Sequence, residues 1–197
     1  MWKWLRGSES SLCFGCNQCG DCCRQMRIPP SHRDLLRIQT QHSEPLHHWL
    51  QFYPLEATHP DVVWLEQQPG MLLLRQQSGA CVFLKDNACS IYNVRPRVCR
   101  IWPFEETPST QTPRGESPLR IAPQHQMLVS LACDQTPVSA SELAKTRYEM
   151  QHIEQEYRVY HWLIQRWNAE KKNAATNHGL EEFMDYLKET DKEVHRG

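Results

Sequence analysis

The chain has 197 residues, 40% of them apolar, enough for one domain with a real core plus an extension and short for two full domains. Its 22 Lys and Arg almost balance 23 Asp and Glu with no run of like charge, which argues against nucleic acid or an anionic membrane surface as partner. No apolar run approaches the ~20 residues that span a bilayer, and the opening MWKWLRGSESS lacks the apolar stretch and small-residue cleavage site of a secretory signal, so a cytoplasmic protein is expected.

The first element in chain order is a thiol loop, CNQCGDCCR, with Cys16, Cys19, Cys22 and Cys23 in eight positions. An odd total of nine cysteines in a chain read as cytoplasmic fits metal ligation better than a disulfide framework. Thiols two residues apart fold around a metal on a tight loop, whereas disulfides at such spacing are usually strained or catalytic. A buried set of inert thiols does not suit so polar a loop, although it would suit an isolated cysteine such as Cys133 in SLACDQ.

PPSHRDLLRIQTQ predicts a helix with Ser31 as N-cap and Asp34 as the acidic member of a capping box. SEPLHHWLQFY predicts a second, with Ser43 as cap and Pro45 in the first turn. VVWLEQQPGMLLLRQQSGACVFL reads as three strands punctuated by Pro69-Gly70 and Ser78-Gly79, the last delivering Cys81. Cys81, Cys89 and Cys99 form a second thiol group, which the chain must bring to the first unless it builds two separate sites. Residues 106–118, rich in Pro, Thr and Ser, predict a surface loop. From Ser139, Leu143, Met150, Ile153, Tyr157, Tyr160, Ile164 and Trp167 make the stripe of a long amphipathic helix. A short last helix follows, with Asn177 as cap and Leu180, Phe183, Met184 and Leu187 on one face. The expected architecture is α+β: a small metal-stabilised cysteine-cluster domain with short helices and a β-hairpin over residues 1–135, then a helical extension over 136–197.

C-x2-C-x2-C-C at 16–23, followed by CVFL, CSIY and RPRVCRIWPF at 81–104, resembles the CxxCxxCC cysteine-cluster family, the YkgJ-type zinc- or iron-chelating proteins. That family includes a domain of flagellin lysine-N-methylases, for which an iron–sulfur centre is implied. Members often carry a further cysteine before a proline; Cys133, in ACDQTP, lacks the adjacent proline and completes the candidate ligand set of Cys16, Cys19, Cys22, Cys23, Cys81, Cys89, Cys99 and Cys133.

The C-x2-C-x2-C triplet reproduces the first three ligands of a bacterial ferredoxin loop, with Cys23 in place of the more distant fourth, so a fourth ligand must come from elsewhere. Neighbouring side chains diverge, so Cys22 and Cys23 suit two centres or one larger cluster. An iron–sulfur cluster is the expected cofactor and zinc the alternative. Arg24, Arg95, Arg97 and Arg100 flank the thiols and could offset a thiolate centre's negative charge. Arg97 reads as a solvated side chain. Arg95 and Arg100, around Pro96, are the candidate cofactor-binding residues, with an anionic substrate as their other use. His32, His42, His47 and His48 read as exposed or capping residues rather than ligands. No phosphate loop, nucleophile elbow or dinucleotide fingerprint is present. The favoured function is a metal-cluster binding protein acting in electron transfer, or in delivery of metal or cluster to a protein partner. A cluster-dependent enzyme of redox or methyl-transfer type and a structural zinc-binding interaction module are the alternatives.

Overall fold

A computed structural model describes residues 12–59, 61–107, 118–171 and 178–194. The chain runs through a short strand β1 (Cys13–Gly15), a one-turn helix α1 (Asp21–Gln25) and helix α2 (His32–Gln41). The predicted capping box opens α2: Ser31 Oγ accepts from Asp34 N at 3.1 Å, and Asp34 Oδ2 accepts from Ser31 N at 3.0 Å. Leu35 and Ile38 then point wholly into the core. His32, expected at the surface, is only 1% exposed, because the first turn of α2 is covered by the C-terminal helices.

The second expected helix is much shorter than its pattern. Helix α3 (Leu46–Trp49) has Pro45 at its N-cap position and no side-chain cap, so the Ser43 cap does not form. From Leu50 the chain is β2 (Leu50–Pro54), paired from Leu50↔Leu74 to Pro54↔Gly70 with β4 (Gln68–Leu74). LQFYP continues the apolar spacing of a helix, but the ladder to β4 overrides it. Strand β3 (Val63–Leu65) pairs with the other edge of β4, giving a three-stranded antiparallel sheet in the order β2-β4-β3. The turn between β3 and β4 is Glu66-Gln67, with φ 49° and 63°, and not Pro69-Gly70. Pro69 and Gly70 lie inside β4, where a Cβ on residue 70 would stand 2.4 Å from the Phe52 ring and 2.6 Å from Tyr53 O. That glycine serves close strand approach rather than a turn.

Two miniature hairpins follow. β5 (Gln76–Gln77) and β6 (Ala80–Cys81) turn through Ser78-Gly79, and β7 (Leu84–Lys85) and β8 (Ala88–Cys89) through Asp86-Asn87. Both residues of each turn have positive φ, the requirement of the tight turn that matches strand twist. After a 3-10 turn at Tyr92–Val94 come α4 (Arg97–Ile101), the antiparallel pair β9 (Phe104–Glu106) and β10 (Leu119–Ile121), α5 (Gln126–Ala132) and β11 (Asp134–Pro137). The predicted loop at 106–118 falls mainly outside the described residues.

Helices α6 (Ala140–Lys171) and α7 (Leu180–Val194) complete the chain. The predicted faces of both bury their aromatic and aliphatic residues: Trp167, Phe183, Met184 and Leu187 are fully covered, in one core with Leu35, Ile38 and Trp49. The long helix thus packs on the chain's own sheet and α2, with Trp167 Nε1 donating to Trp64 O at 2.8 Å. A smaller core of Phe104, Leu119 and Met150, flanked by Phe14 and Leu143, sits at the N-terminal end of α6. Asn177, the expected cap of α7, lies outside the described residues. The fold is α+β with short antiparallel strands and a long C-terminal helix, and none of the described helices is long and apolar enough to cross a membrane.

Candidate metal centre

The thiol loop owes its shape to two left-handed residues and two side-chain ties. Gln18 and Gly20 have φ 57° and 77°, reversing the chain between Cys16 and Cys22. Asn17 Oδ1 accepts from Cys19 N at 3.2 Å, while its Nδ2 donates to Ala132 O at 2.9 Å, tying the loop to the end of α5. Arg24, expected to face the thiols, instead donates to Cys19 O at 2.9 Å and to Asn87 Oδ1, in the β7–β8 turn, at 2.6 Å. It fastens the first thiol loop to the hairpin that carries Cys89.

Gly20 allows that contact. A Cβ there would stand 2.7 Å from Leu84 Cδ1, so the loop lies directly on the second hairpin. Cys81 ends β6 opposite Gln76, Cys89 ends β8 opposite Leu84, and Cys99 sits in the middle of α4. Cys133 is brought in by a separate device: β1 pairs with β11, Gly15 opposite Asp134, so the residues just outside that pair, Cys16 and Cys133, approach each other.

The result is one cavity of ≈ 80 Å³ lined by Cys16, Cys19, Cys22, Cys23, Cys81, Cys89, Cys99 and Cys133. All eight candidate ligands converge on it. Cys13, on β1, does not line it. The remaining wall is largely apolar, with Met26, Ile28, Leu74, Phe83 and Ile91. Among the described residues, no three Cys, His, Asp or Glu side chains already stand as a tight ligand group around one point. The thiols are distributed around the cavity rather than closed on a single tetrahedral position.

Electrostatics show which thiols face one another. Burial pushes Cys81 up to about 11, helped by Cys89 and Cys22, and raises Cys99 further, with Cys81, Cys22 and Cys89 adding to it. Burial likewise lifts Cys133 to about 11, with Cys19, Cys16 and Cys22 as neighbours. Cys22 is held far above the ordinary thiol range, first by its hydrogen bond with Cys23 and then by burial. Cys22 therefore neighbours both Cys81, Cys89 and Cys99 and the group of Cys19 and Cys133, while Cys16 neighbours Cys133 and Cys89. Eight thiols so close together cannot all ionise without compensating positive charge, which a metal ion supplies as it displaces their protons. Donor type, convergence and an apolar wall all fit a thiolate-bound metal.

The arginines divide. Arg95 lines the cavity and favours the ionised forms of Cys22, Cys89 and Cys99. Arg100 does not line it; its Nε donates to Arg95 O at 3.0 Å and its Nη1 to Glu149 Oε1 at 3.3 Å. Arg97 is not the solvated side chain its sequence suggests. It is 11% exposed, bonded to Glu149 and, at 2.7 Å, to Glu156, while its backbone N donates to Asp34 Oδ1 at 3.1 Å. Sequence reading missed both glutamates, although a signal was available: they are seven residues apart, two turns of α6 on one face, with Thr146 and Met150 beside them. It also passed over Trp102, whose indole N–H is buried with no acceptor among the described residues.

No curated protein and no solved structure matches the chain. A family model does, over residues 15–118, more than half of the chain and the stretch from the first thiol loop through Cys99. Its description, "Putative zinc- or iron-chelating domain", agrees with the chemistry of the thiol-lined cavity. The chain belongs to the CxxCxxCC family.

Proposed function

We propose that this protein holds an iron–sulfur centre in the thiol cavity and uses it for electron transfer, or for delivery of metal or cluster, with a partner protein in the cytoplasm. The observation that carries the reading is the distribution of eight thiols around one apolar cavity. A single structural zinc takes only four thiolates, and eight line this cavity. A cluster of several irons spreads its coordination positions over a larger volume and suits thiols placed around a wall. Within this reading the ligands are drawn from Cys16, Cys19, Cys22, Cys23, Cys81, Cys89, Cys99 and Cys133. The C-x2-C-x2-C register, shared with ferredoxin loops, supports the same choice.

The test is anaerobic purification with iron, acid-labile sulfide and zinc analysis, together with absorption spectra before and after dithionite. Brown protein with absorption near ~400 nm that bleaches on reduction is expected. Colourless protein with stoichiometric zinc overturns the iron–sulfur choice in favour of two zinc ions sharing the same thiols.

A further inference from the structure

A second cavity, of ≈ 360 Å³, lies against the thiol cavity and shares Cys16, Cys22, Cys99 and Arg95 with it. This is within the size range of small-ligand sites. Its far wall is the first part of α6, where Glu142, Lys145, Thr146 and Glu149 fall on one helical face. That wall lies beyond residue 118, where the family match ends.

Its charges are unequally committed. Glu149 is taken by Arg97 and Arg100, and Glu142 accepts from Ser139 Oγ at 2.6 Å at the start of α6. Arg100 is occupied in turn by Glu149 and by the carbonyls of Arg95 and Asn93. Two cations remain. The guanidinium of Arg95 lies 4.2 Å over the Tyr92 ring, and Lys145 is exposed on α6. Among the described residues neither forms a salt bridge; Lys145 has only a longer-range attraction to Glu142. A flat cation and a point cation on one cleft, whose own carboxylates are already engaged by Arg97, Arg100 and Ser139, make a donor pair without an acceptor. A carboxylate answers both, pairing in fork fashion with the guanidinium. Arg95 also faces the thiols, and a guanidinium has donors on more than one edge, so it can serve sulfur and carboxylate together.

We propose that this cleft binds a small organic carboxylate beside the metal centre, with Arg95 and Lys145 as its charge partners and α6 selecting which carboxylates fit. The placement beside a metal rests on the metal-centre reading; the donor set itself does not. The test is calorimetric titration of the full-length, metal-analysed protein with acetate, succinate and citrate, and with succinamide as uncharged control. At least one carboxylate should bind about tenfold more tightly than succinamide. Lys145→Gln should weaken that binding about tenfold without changing metal content, and Arg95→Lys, which keeps charge but loses the fork, severalfold. Carboxylates no tighter than succinamide, or full affinity in Lys145→Gln, overturn the proposal. Failure of the metal reading shows separately, as protein with neither iron nor zinc, on which the carboxylate titration is still read.

Discussion

Arg97 Nε on α4 donates to Glu156 Oε1 on α6 at 2.7 Å, two residues from the ligand candidate Cys99. The same guanidinium holds Glu149, Ser31 Oγ donates to Glu156 Oε2 at 2.8 Å, and Arg37 bridges Asp34 and Glu156. Burial alone would lift the glutamate carboxyls; the bonds from Arg97 hold both below the usual range. The network joins α2, α4 and α6 behind the thiol cavity.

Arg97→Ala would leave two buried carboxylates without their shared partner. A loss of about 3–5 kcal/mol is expected, typical of breaking a buried pair from one side. Metal content should fall as well, because α4 presents Cys99. Urea denaturation with metal analysis checks both, and an unchanged midpoint would show that the network contributes nothing to stability.

Gly20 and Gly79 both have left-handed backbones, φ 77° and 80°, but different surroundings. An added methyl at residue 79 meets nothing within 4 Å, whereas at residue 20 it strikes Leu84. Gly79→Ala should cost only the conformational penalty, about 1 kcal/mol. Gly20→Ala should cost about 2–4 kcal/mol, adding overpacking to that penalty, and should lower metal content by lifting the loop from the hairpin. Equal effects of the two changes on melting and metal loading would contradict this account.

Cys133 and Cys13 lie at opposite ends of the β1–β11 ladder, and only Cys133 lines the cavity. Serine at 133 should therefore reduce bound metal, and serine at 13 should leave it close to the wild-type level. Metal analysis of the two proteins, purified side by side, decides. Full retention in Cys133→Ser would remove that thiol from the ligand set.

His32 gives the fold a pH dependence. Its ring is 1% exposed, neither nitrogen has a hydrogen-bond partner among the described residues, and Asp191 Oδ1 on α7 is 3.6 Å from Nε2. Burial lowers its pKa to about 4, outweighing the attraction of Asp191 and Glu156 and reinforced by Arg33; Tyr160 packs on the ring at 5.9 Å. The unfolded chain protonates near pH ~6.5. Between there and about 4 the unfolded state holds more protons, so stability is complete above ~6.5 and is lost as pH falls through this window. Glu149 and Glu156, with depressed pKa values, lose stability in the same direction at carboxylate pH, while Asp34, raised by burial, works against them. Subtracting the stability of His32→Gln from that of wild type at each pH isolates the histidine. The difference should shift by a few kcal/mol between pH ~7 and ~4.5; a flat difference would be inconsistent with a neutral buried ring.

Local signals in the sequence translated well. The Ser31–Asp34 capping box, the apolar stripe of α6 and the Phe183–Leu187 face of α7 depend on neighbours within two helical turns, and each is present. The convergence of the thiols was legible only in part: the two groups could equally have built separate sites, and nothing local placed Cys133, which the pairing of β1 with β11 brings in. Strand β2 was not legible: LQFYP follows LHHW at helical spacing, and only its distant partner β4 makes it extended. The turn at Glu66-Gln67 was hidden because neither residue is the Gly or Asn such a turn favours, while Pro69-Gly70 offered a false one. Arg97 was misread for a related reason. Whether a cation is solvated depends on what lies across from it, and its two carboxylates come from a helix some fifty residues later.

The pairing of β1 with β11 also has a consequence for how the protein is made. Asn17 and Ala132, tied by one hydrogen bond, are 115 residues apart in the chain. On the ribosome, seven of the eight cavity thiols are synthesised before Cys133, and the strand that draws it to Cys16 follows later still. The nascent chain therefore exposes an unfinished thiol set for most of its synthesis. The full set of cavity thiols can assemble only after β11 has been synthesised, late in the life of the nascent chain.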